Sequence, residues 1–480
     1  MTDLVQQVEK RKEAEVVEQP ESEDTDLLDE LASSLDQDQE ELGLGASIRS
    51  LFSWKNYSVY LTTSWFITSF TYLGYFLNLY LRDLGWEYVI IGLVFSVSNF
   101  ISTACRLVGG YIGDVVNRKH LAVVATLVLA VYNIVMGIAT AFTAIFMVIL
   151  FVSLLEIFKG GSTAYIMDNI PKEHSGLGIS LFSSTGRTVA VLVLAVLAFL
   201  VPLYGFGASM RTMYFVGGVI LVVAALVRAA LLEGSKPEGT SAGRRHLRSF
   251  FEENKRTAAL LVGAAPGLLA VVVVDALSDS MFKFGANIYI NEIVGINFEG
   301  IIIMTLSTVL VSIPLLLMMG RMSDRRGVAS AALVIYGFMP VCAAILILAP
   351  IVPYWMPASV VNAFEASVPG LGAIFSTPFV AVIIKQVNDS LWYLILLTIV
   401  QKNLPGKDTS KILGTFWFLV FISAAIAPYL GGLMFQYFNP QYLFLAVLLL
   451  NLIIMATISK RGLVRESTMQ ELNGATSGTK

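Results

Sequence analysis

Long apolar runs are the feature that most constrains how this chain can fold. Each run is about 20 residues or longer with few or no charges, enough to cross a hydrocarbon core roughly 30 Å thick. Apolar residues make up 56% of the chain and charged residues only 14%, against about 25% charge in a soluble domain. The runs are too long and too uniformly apolar for barrel strands. We therefore expect an all-α membrane protein with runs at residues 56–81, 88–112, 120–140, 142–166, 177–201, 211–232, 258–290, 298–320, 328–350, 371–402, 411–434 and 440–459.

The charges of the connecting segments predict the orientation of the chain. Basic residues are concentrated in alternate connections and at both ends of the membrane region, among them Arg118, Lys119, Lys172, Arg321, Arg325, Arg326, Lys402 and Lys407. Cytoplasmic loops carry such an excess. The pattern predicts a multi-pass protein of the cell membrane, in contact with the lipid bilayer, with both termini in the cytoplasm. An even number of spans follows, which favours twelve. No cleaved signal peptide is expected, because no basic segment precedes a first apolar run near the N-terminus.

Composition divides the chain into five segments. Residues 1–45 hold 15 acidic residues against three basic ones, which is typical of a disordered, solvated tail. A short leucine-rich helix that binds a partner or regulates the protein is the alternative for this tail. The predicted segments are an acidic cytoplasmic tail at 1–45, a six-helix half at 50–232, a basic cytoplasmic linker at 233–257, a second six-helix half at 258–462 and a cytoplasmic tail at 463–480.

Two loops share a pattern of glycine, aspartate and basic residues. The first contains Gly110, Gly113, Asp114, Arg118 and Lys119, and the second contains Gly320, Asp324, Arg325 and Arg326. The two aspartates are 210 residues apart. Each loop follows the second run of a six-run half, and both resemble the signature loop between helices 2 and 3 of the major facilitator superfamily. A second repeat, Asn-Ile-Pro at 169–171 and Asn-Leu-Pro at 403–405, has a spacing of 234 because residues 351–374 enlarge one connection.

The resemblance covers about residues 50–462 and implies a fold of twelve transmembrane helices in two pseudo-symmetric six-helix bundles. It also implies a substrate cavity between the bundles near the middle of the membrane, lined by the first, fourth, seventh and tenth helices. A carboxylate at Asp114 can cap a neighbouring helix and pair with an arginine of the facing bundle. Such a latch would gate the cytoplasmic side. The alternative is that Asp114 and Arg118 are only solvated loop charges.

Charges inside the seventh run indicate a functional face, because ionisable groups within membrane spans are costly. Asp275, Asp279 and Lys283 are spaced four residues apart and share one face of a helix. Asp279 and Lys283 can pair, which leaves Asp275 for a proton or a cationic substrate. The alternative is a neutralised ladder that only docks helices.

Equivalent charges occur in the fourth and tenth runs. The fourth run carries Glu156 and Lys159, and the tenth carries Lys385 and Asp389. The 234-residue spacing places Glu156 one position from the equivalent of Asp389, so each half has an acid at a similar depth. Glu156 is therefore a candidate proton-coupling carboxylate beside Asp275. A simple Glu156–Lys159 ion pair on one helix is the alternative.

Arg187 lies near the middle of the fifth run, where its permanent charge requires an anion. That anion is either a substrate carboxylate or a protein acid such as Glu156. Arg106 and Arg228, nearer the cytoplasmic edge, are expected to snorkel or to pair with the signature loops. Trp65, Tyr72 and Trp417 are candidate cavity aromatics, with interface anchoring or core packing as alternatives.

Other function classes find little support in the sequence. Two cysteines and three dispersed histidines predict neither a disulfide framework nor a metal site, and no cofactor is expected. No nucleotide-binding loop or hydrolase motif is present, and the basic linker lacks the aromatic residues typical of nucleic-acid binding. The resemblance to the major facilitator superfamily implies a non-enzymatic secondary transporter of a small organic solute, and we expect proton-coupled symport by alternating access. The alternatives are a multidrug exporter, a facilitative uniporter, or a non-transporting membrane sensor or scaffold.

Overall fold

The computed structural model describes residues 44–170, 175–234, 247–264, 266–323, 328–403 and 409–461. These residues are almost entirely helical, and their one β-type contact is an isolated antiparallel bridge between Tyr354 and Ser376. The first α-helices are α1 Leu44–Ser53, α2 Lys55–Thr71, α3 Leu77–Asp83, α4 Tyr88–Val115, α5 Arg118–Ile138, α6 Phe142–Val152, α7 Leu155–Asp168, α8 Ser175–Tyr204 and α9 Phe206–Leu231. The others are α10 Leu247–Ala264, α11 Pro266–Glu292, α12 Phe298–Ser323, α13 Val328–Leu348, α14 Ala358–Ser367, α15 Thr377–Asn403, α16 Thr409–Ala424, α17 Ala427–Tyr437 and α18 Gln441–Arg461.

The chain divides into two compact units, Met1–Trp54 and Lys55–Lys480. In the first unit, α1 is a short helix in which the Ser53 hydroxyl donates to the carbonyl of Ser50 at 2.6 Å. The second unit holds all the other described helices. Most of the predicted acidic tail, at residues 1–43, and the predicted tail at 463–480 lie outside the described residues.

Apolar helices long enough to cross a membrane occur in both predicted halves. Within the described residues, six helices meet this description by length and composition. The number rises to eight if each of two bent helix pairs is one span. Helices α12 and α13 add shorter apolar stretches at Phe298–Val311 and Ile335–Leu348. The helical membrane class is confirmed, and the number of twelve spans stays a prediction.

The run at 142–166, expected as one helix, is broken into α6 and α7, which bend by 40° at residues 153–154. Ser153 is buried at the break, and its hydroxyl shares a hydrogen bond of 2.7 Å with the hydroxyl of Ser98 on α4. A serine hydroxyl competes with the backbone for hydrogen bonds, which favours a bend at such a site. The bend precedes Glu156 by less than one helical turn.

The apolar run at 258–290, which was also expected as one helix, is broken near its start. The helix α11 begins at Pro266, and a separate helix, α10, precedes it at an angle of 101°. Proline suits the first position of a helix because its fixed φ fits and its missing N–H would be unpaired there anyway. Residues 247–257, assigned to the linker from composition, are therefore helical. Asn254 of α10 accepts a hydrogen bond of 2.9 Å from the Thr415 hydroxyl on α16.

The first long helix of the second unit is interrupted in its middle. A 3₁₀ segment, Tyr72–Phe76, lies between α2 and α3. Mid-helix 3₁₀ geometry often marks a functional hinge. The segment presents Tyr72 and Tyr75, whose rings stack with centroids 5.3 Å apart.

Two glycines allow α4 and α17 to touch through their backbones. A Cβ atom at Gly92 would lie 2.4 Å from the carbonyl oxygen of Pro428, and one at Gly432 would lie 2.5 Å from that of Tyr88. Neither position could hold a larger residue without separating the helices. We call this end of the molecule, which includes the α3–α4 and α11–α12 connections, the opposite end. The end with the loop before Arg118 is the signature end.

Arg228 on α9 is 1% exposed, so the expected snorkelling is wrong, and none of its described partners belongs to a signature loop. Its guanidinium donates to the hydroxyls of Thr63 at 2.8 Å, Ser64 at 2.7 Å and Thr126 at 2.9 Å. It also lies 4.2 Å from the ring centroid of Tyr60. Within the described residues no carboxylate contacts it. This arrangement, the Arg228 cage, joins α2, α5 and α9 through neutral groups.

Candidate functional site

Four ionisable side chains join α11 to α15 near the middle of both helices. Lys283 Nζ lies 2.8 Å from Asp279 Oδ2 and 3.4 Å from Asp389 Oδ2. Lys385 Nζ lies 2.6 Å from Asp279 Oδ1 and also contacts Asp389 Oδ1. Two carboxylates and two ammonium groups therefore form a closed ion-pair ring without net charge.

The two lysines of the ion-pair ring differ in their surroundings. The side chain of Lys385 is 7% exposed, whereas that of Lys283 is 56% exposed. An ammonium group in the middle of a membrane helix cannot face lipid without a cost of about 3 kcal/mol. The exposure of Lys283 therefore indicates a water-filled gap beside α11.

Asp275 lies one helical turn before Asp279 and is only 8% exposed. Among the described residues it forms no hydrogen bond and no ion pair, while both lysines nearby are shared by Asp279 and Asp389. An ionised Asp275 would add a negative charge beside a ring that is already neutral. A buried carboxylate without a cation is more stable when a proton neutralises it.

The acid of the other half has a different environment. Glu156 on α7 accepts from Arg106 Nε at 2.9 Å and from Lys159 Nζ at 3.1 Å. The pairing with Lys159 is one of the alternatives expected from the sequence. The partner Arg106 was expected at the signature loops instead, and its guanidinium lies 5.0 Å from the ring centroid of Phe421 on α16.

The packing of α4 against α7 explains the Arg106–Glu156 contact. A Cβ atom at Gly109 would lie 2.7 Å from the carbonyl oxygen of Glu156, so the two backbones touch there. Arg106 is one turn earlier on the same face of α4 and therefore reaches the Glu156 carboxylate. Glycines near the signature loop indicate a close contact between helices, but only the fold shows that the contact is with Glu156 on α7.

Arg187 lies in the first half of α8 and is half-buried. Its Nη1 atom is buried without a hydrogen-bond partner among the described residues, and no ion pair with a described residue is found. The expected alternative of a Glu156 partner is wrong, because Glu156 pairs with Arg106 and Lys159. Its neighbour Gly186 packs against α2, since a Cβ atom there would lie 2.9 Å from Thr68 Cγ2. This part of α8 therefore lies about one turn before the 3₁₀ segment.

Tyr75 brings this segment to the ion-pair ring. Its side chain is strongly exposed. The backbone there is held to α11, because Asn287 Nδ2 donates to the carbonyl of Tyr75 at 2.7 Å. The stacked Tyr72–Tyr75 pair therefore lies between Arg187 in one half of the chain and Lys283 in the other.

The other two candidate aromatics are less central. Trp65 is half-buried on α2, about two turns before Tyr72. Trp417 on α16 stacks on Phe421, with ring centroids 5.2 Å apart, and lies 6.3 Å from the ring of Trp392. This aromatic cluster fits the core-packing alternative for Trp417.

The signature loops are described in part. Gly113 approaches Gly161 on α7, but a Cβ atom at Gly110 would meet no heavy atom within 4 Å, so close packing does not require glycine there. Arg118 and Lys119 are half-buried at the start of α5, where the Asn117 side chain accepts from the Lys119 backbone N–H at 3.0 Å. The side chain of Asp114, the surroundings of Gly320 and the residues Asp324, Arg325 and Arg326 lie outside the described part of the chain. The latch therefore stays a prediction.

An ion pair joins the two halves at the opposite end and was not anticipated from the sequence. Arg82 Nε lies 2.8 Å from Glu292 Oε1, and the Tyr88 hydroxyl donates to the same carboxylate. The guanidinium also stacks 4.2 Å from the Tyr88 ring centroid. We call these three residues the Arg82 cluster. Nearby, the rings of Phe206 and Phe298 stack with centroids 4.2 Å apart.

Arg82 and Glu292 are 210 residues apart, the spacing of the two signature aspartates. Gly85 and Gly295 follow at the same spacing, and both have a φ of 84°, a backbone conformation that favours glycine. The repeat read from the loops therefore reappears in the backbone of the opposite end. The ion pair joins equivalent positions of the two halves.

Within the described residues, no group of three or more histidine, cysteine or acidic side chains could hold a metal ion. As far as the described residues show, the site consists of a neutral ring, one acid without a cation, an unpaired arginine and two stacked tyrosines. Such a set can bind a polar solute and a proton, with no nucleophile arranged for covalent chemistry among these groups.

Comparisons with known proteins agree with the helical arrangement. A family model described as the Major Facilitator Superfamily matches residues 59–391. A search of curated protein sequences gave no match. A mutant of the nucleoside transporter NupG superposes with a TM-score of 0.65 at 13% identity, over 84% of this chain and 99% of that one. The peptide transporter POT in complex with sulfate gives a TM-score of 0.59 at 14% identity, over 86% and 96%. A POT family transporter in complex with 5-aminolevulinic acid gives 0.56 at 13% identity, over 88% and 96%.

At these identities the superpositions establish the fold and say nothing about the solute. The family model covers most of the chain and includes the first signature loop and the whole ion-pair ring. The family and the superposed structures are those of transport proteins and not of enzymes. The chain is therefore a multi-pass membrane transport protein that belongs to the Major Facilitator Superfamily.

Proposed function

We propose that the protein is a secondary active transporter that couples a small polar organic solute to protons by alternating access. The observation that carries the proposal is Asp275, a buried acid without a cation partner among the described residues, one turn from a neutral ion-pair ring. Because the two lysines of the ring pair with Asp279 and Asp389, the charge of Asp275 is not balanced by a neighbouring cation.

A proton is the simplest ion that balances Asp275. Protonation removes a charge that would otherwise be buried at a cost of several kcal/mol. The adjacent exposed lysine indicates water close enough to deliver a proton when the gap opens. Binding and release of that proton on different sides of the membrane would couple the helix movement to the proton gradient.

Glu156 is the weaker candidate for the same role. Two cations, Arg106 and Lys159, already balance its charge. A proton arriving there would have to displace two ion pairs, whereas a proton on Asp275 displaces none among the described residues. We therefore place coupling at Asp275 and assign Glu156 a structural role in holding α4 and α7 together.

The chemical class of the solute follows from the site and is compatible with the superposed structures. Polar and charged groups of both signs surround the gap, which suits a polar, anionic or zwitterionic molecule better than a lipophilic cation. The structures with the same fold include nucleoside and peptide transporters, one in complex with 5-aminolevulinic acid. These are all small polar organic solutes.

Charge distribution supports an orientation with the signature end in the cytoplasm. The Arg82 cluster and the Phe206–Phe298 stack then close the extracellular side. The arrangement described would be the inward-facing state of a rocking cycle. The signature loops, with Asp114 and Asp324, would form the cytoplasmic latch of the outward-facing state.

The test uses the full chain in liposomes with an imposed pH gradient. A thermal-shift screen with nucleosides, dipeptides, amino acids and organic acids first selects a solute that stabilises the purified protein. Uphill accumulation of that solute and its exchange across the membrane without a gradient are then measured. Asp275→Asn should abolish accumulation and retain exchange, because the variant binds solute but carries no proton.

Asp83→Asn, which removes an acid at the opposite end, is the matched control and should keep both activities. Undiminished accumulation by Asp275→Asn would refute the coupling assignment. If a proton uncoupler does not change transport by the wild-type protein, the protein is a uniporter. If cells that express it export the solute and tolerate more drug, it is an exporter. Absence of any transport would favour a sensor or scaffold.

A further inference from the structure

The middle of α8 carries a cation that no described protein group balances. Arg187 is half-buried, its Nη1 atom is buried without an acceptor, and no ion pair with a described residue is found. An arginine keeps its charge at any physiological pH and needs an anion or several acceptors when taken from water. The Arg228 cage shows how this chain satisfies a guanidinium permanently, with three hydroxyls at 2.7–2.9 Å. Arg187 has no such set of hydroxyl partners in the part of the chain that the structure describes.

Three of the four acids described in the membrane helices already have cation partners. Glu156 pairs with Arg106 and Lys159, and the two ring carboxylates pair with two lysines. Asp275 remains, but it lies beside the ring, on the other half of the chain.

The ion-pair ring, Asp275, Arg187 and the Glu156 ion pairs together contain five cations and four acids: Arg106, Lys159, Arg187, Lys283, Lys385, Glu156, Asp275, Asp279 and Asp389. The excess is one positive charge, and it becomes two when Asp275 holds a proton. The site is therefore complementary to an anion, and more so in its protonated form.

We infer that Arg187 is an anion-binding subsite that holds the carboxylate or phosphate group of the transported solute. The inference deepens the proposed function and rests on it. The solute's anionic group lies against the guanidinium, whose fork of N–H donors matches two oxygens of such a group. The remainder lies along Tyr72 and Tyr75 towards Lys283 and the ion-pair ring. Protonation of Asp275 strengthens anion binding, so proton and solute bind together.

The experiment measures affinity by thermal shift on the purified full chain at constant ionic strength. The probes are matched acids and amides, nicotinate with nicotinamide and glutamate with glutamine, together with inorganic phosphate. Wild-type protein should bind at least one acid roughly tenfold to hundredfold more tightly than its amide, the range expected for hydrogen bonds to a charged group. Arg187→Gln should remove that preference, and Arg187→Lys should retain part of it.

Arg211→Gln, on α9 at the opposite end, removes a positive charge elsewhere and should keep the preference for acids. The melting temperature of each variant without probe reports whether it folds. Equal shifts by acid and amide in the wild type, no shift by any acid or by phosphate, or an unchanged preference in Arg187→Gln would each overturn the inference.

The proposed function has a separate readout. If acids are preferred and Asp275→Asn still accumulates solute uphill, the subsite stands and proton coupling at Asp275 fails. If accumulation depends on Asp275 and Arg187→Gln keeps the acid preference, coupling stands and the subsite fails.

Discussion

The Arg82 cluster should set the balance between the two states of the transporter, and its strength can be worked from the contacts. The Arg82–Glu292 pair, at 2.8 Å and partly exposed, is worth about 1 kcal/mol. The hydrogen bond from Tyr88 to the Glu292 carboxylate adds roughly 1.5–3 kcal/mol, of which a neutral amide retains about 1 kcal/mol. Glu292→Gln should therefore cost the closed arrangement about 2 kcal/mol and multiply the ratio of open to closed molecules by roughly thirty.

A distance measurement across the opposite end detects this shift. Spin labels are placed on cysteines at Tyr204 and Ile351, which are strongly exposed on the two halves, after Cys105 and Cys342 are replaced by serine. Electron–electron resonance should show a second, longer distance in Glu292→Gln that is weak or absent in the parent protein.

Glu87→Gln is the matched control, because Glu87 is an exposed acid at the same end and no contact of its side chain is described. Its distance distribution should equal that of the parent. If Glu292→Gln gives the parental distribution, or if Glu87→Gln gives the same second distance, the Arg82 cluster does not hold this end closed.

Two further substitutions test packing and the ion-pair ring. Gly92→Ala places a Cβ atom 2.4 Å from the Pro428 carbonyl and should destabilise the protein by about 1–3 kcal/mol, whereas Gly110→Ala, with open space around it, should leave the melting temperature unchanged. Lys385→Met should cost about 3 kcal/mol because it removes the buried ammonium group that both ring carboxylates share. Lys283→Met, at the exposed corner of the ring, should cost about 1 kcal/mol or less, and equal melting temperatures of the two lysine variants would contradict this reading of the ring.

Much of this architecture could be predicted because helices impose local regularities. The apolar runs and the two signature loops identified the family and the helical class, which the comparisons confirm. A helical period also places Asp275, Asp279 and Lys283 on one face, and the structure has Asp279 and Lys283 in contact. The functional roles of these residues stay predictions.

Contacts between distant segments could not be predicted from the sequence, because they depend on which helices pack together. Lys385 and Asp279 are 106 positions apart, and nothing local favours that pairing over others. The 101° bend before Pro266 was missed for another reason. Composition made residues 247–257 resemble a polar loop, while a proline at a helix start gives no warning that a second helix precedes it.

The Arg228 cage has a consequence for how the molecule can move. Three hydroxyl groups and an aromatic face replace the hydration shell of this guanidinium, and they come from α2 and α5 while the arginine comes from α9. Sliding any of these helices past the others would strip solvating dipoles from a permanent charge that neither lipid nor bulk water can reach. We therefore expect the three segments to move together, and the 3₁₀ segment at Tyr72–Phe76 and the bend between α6 and α7 are two places where irregular helix geometry can accommodate a movement.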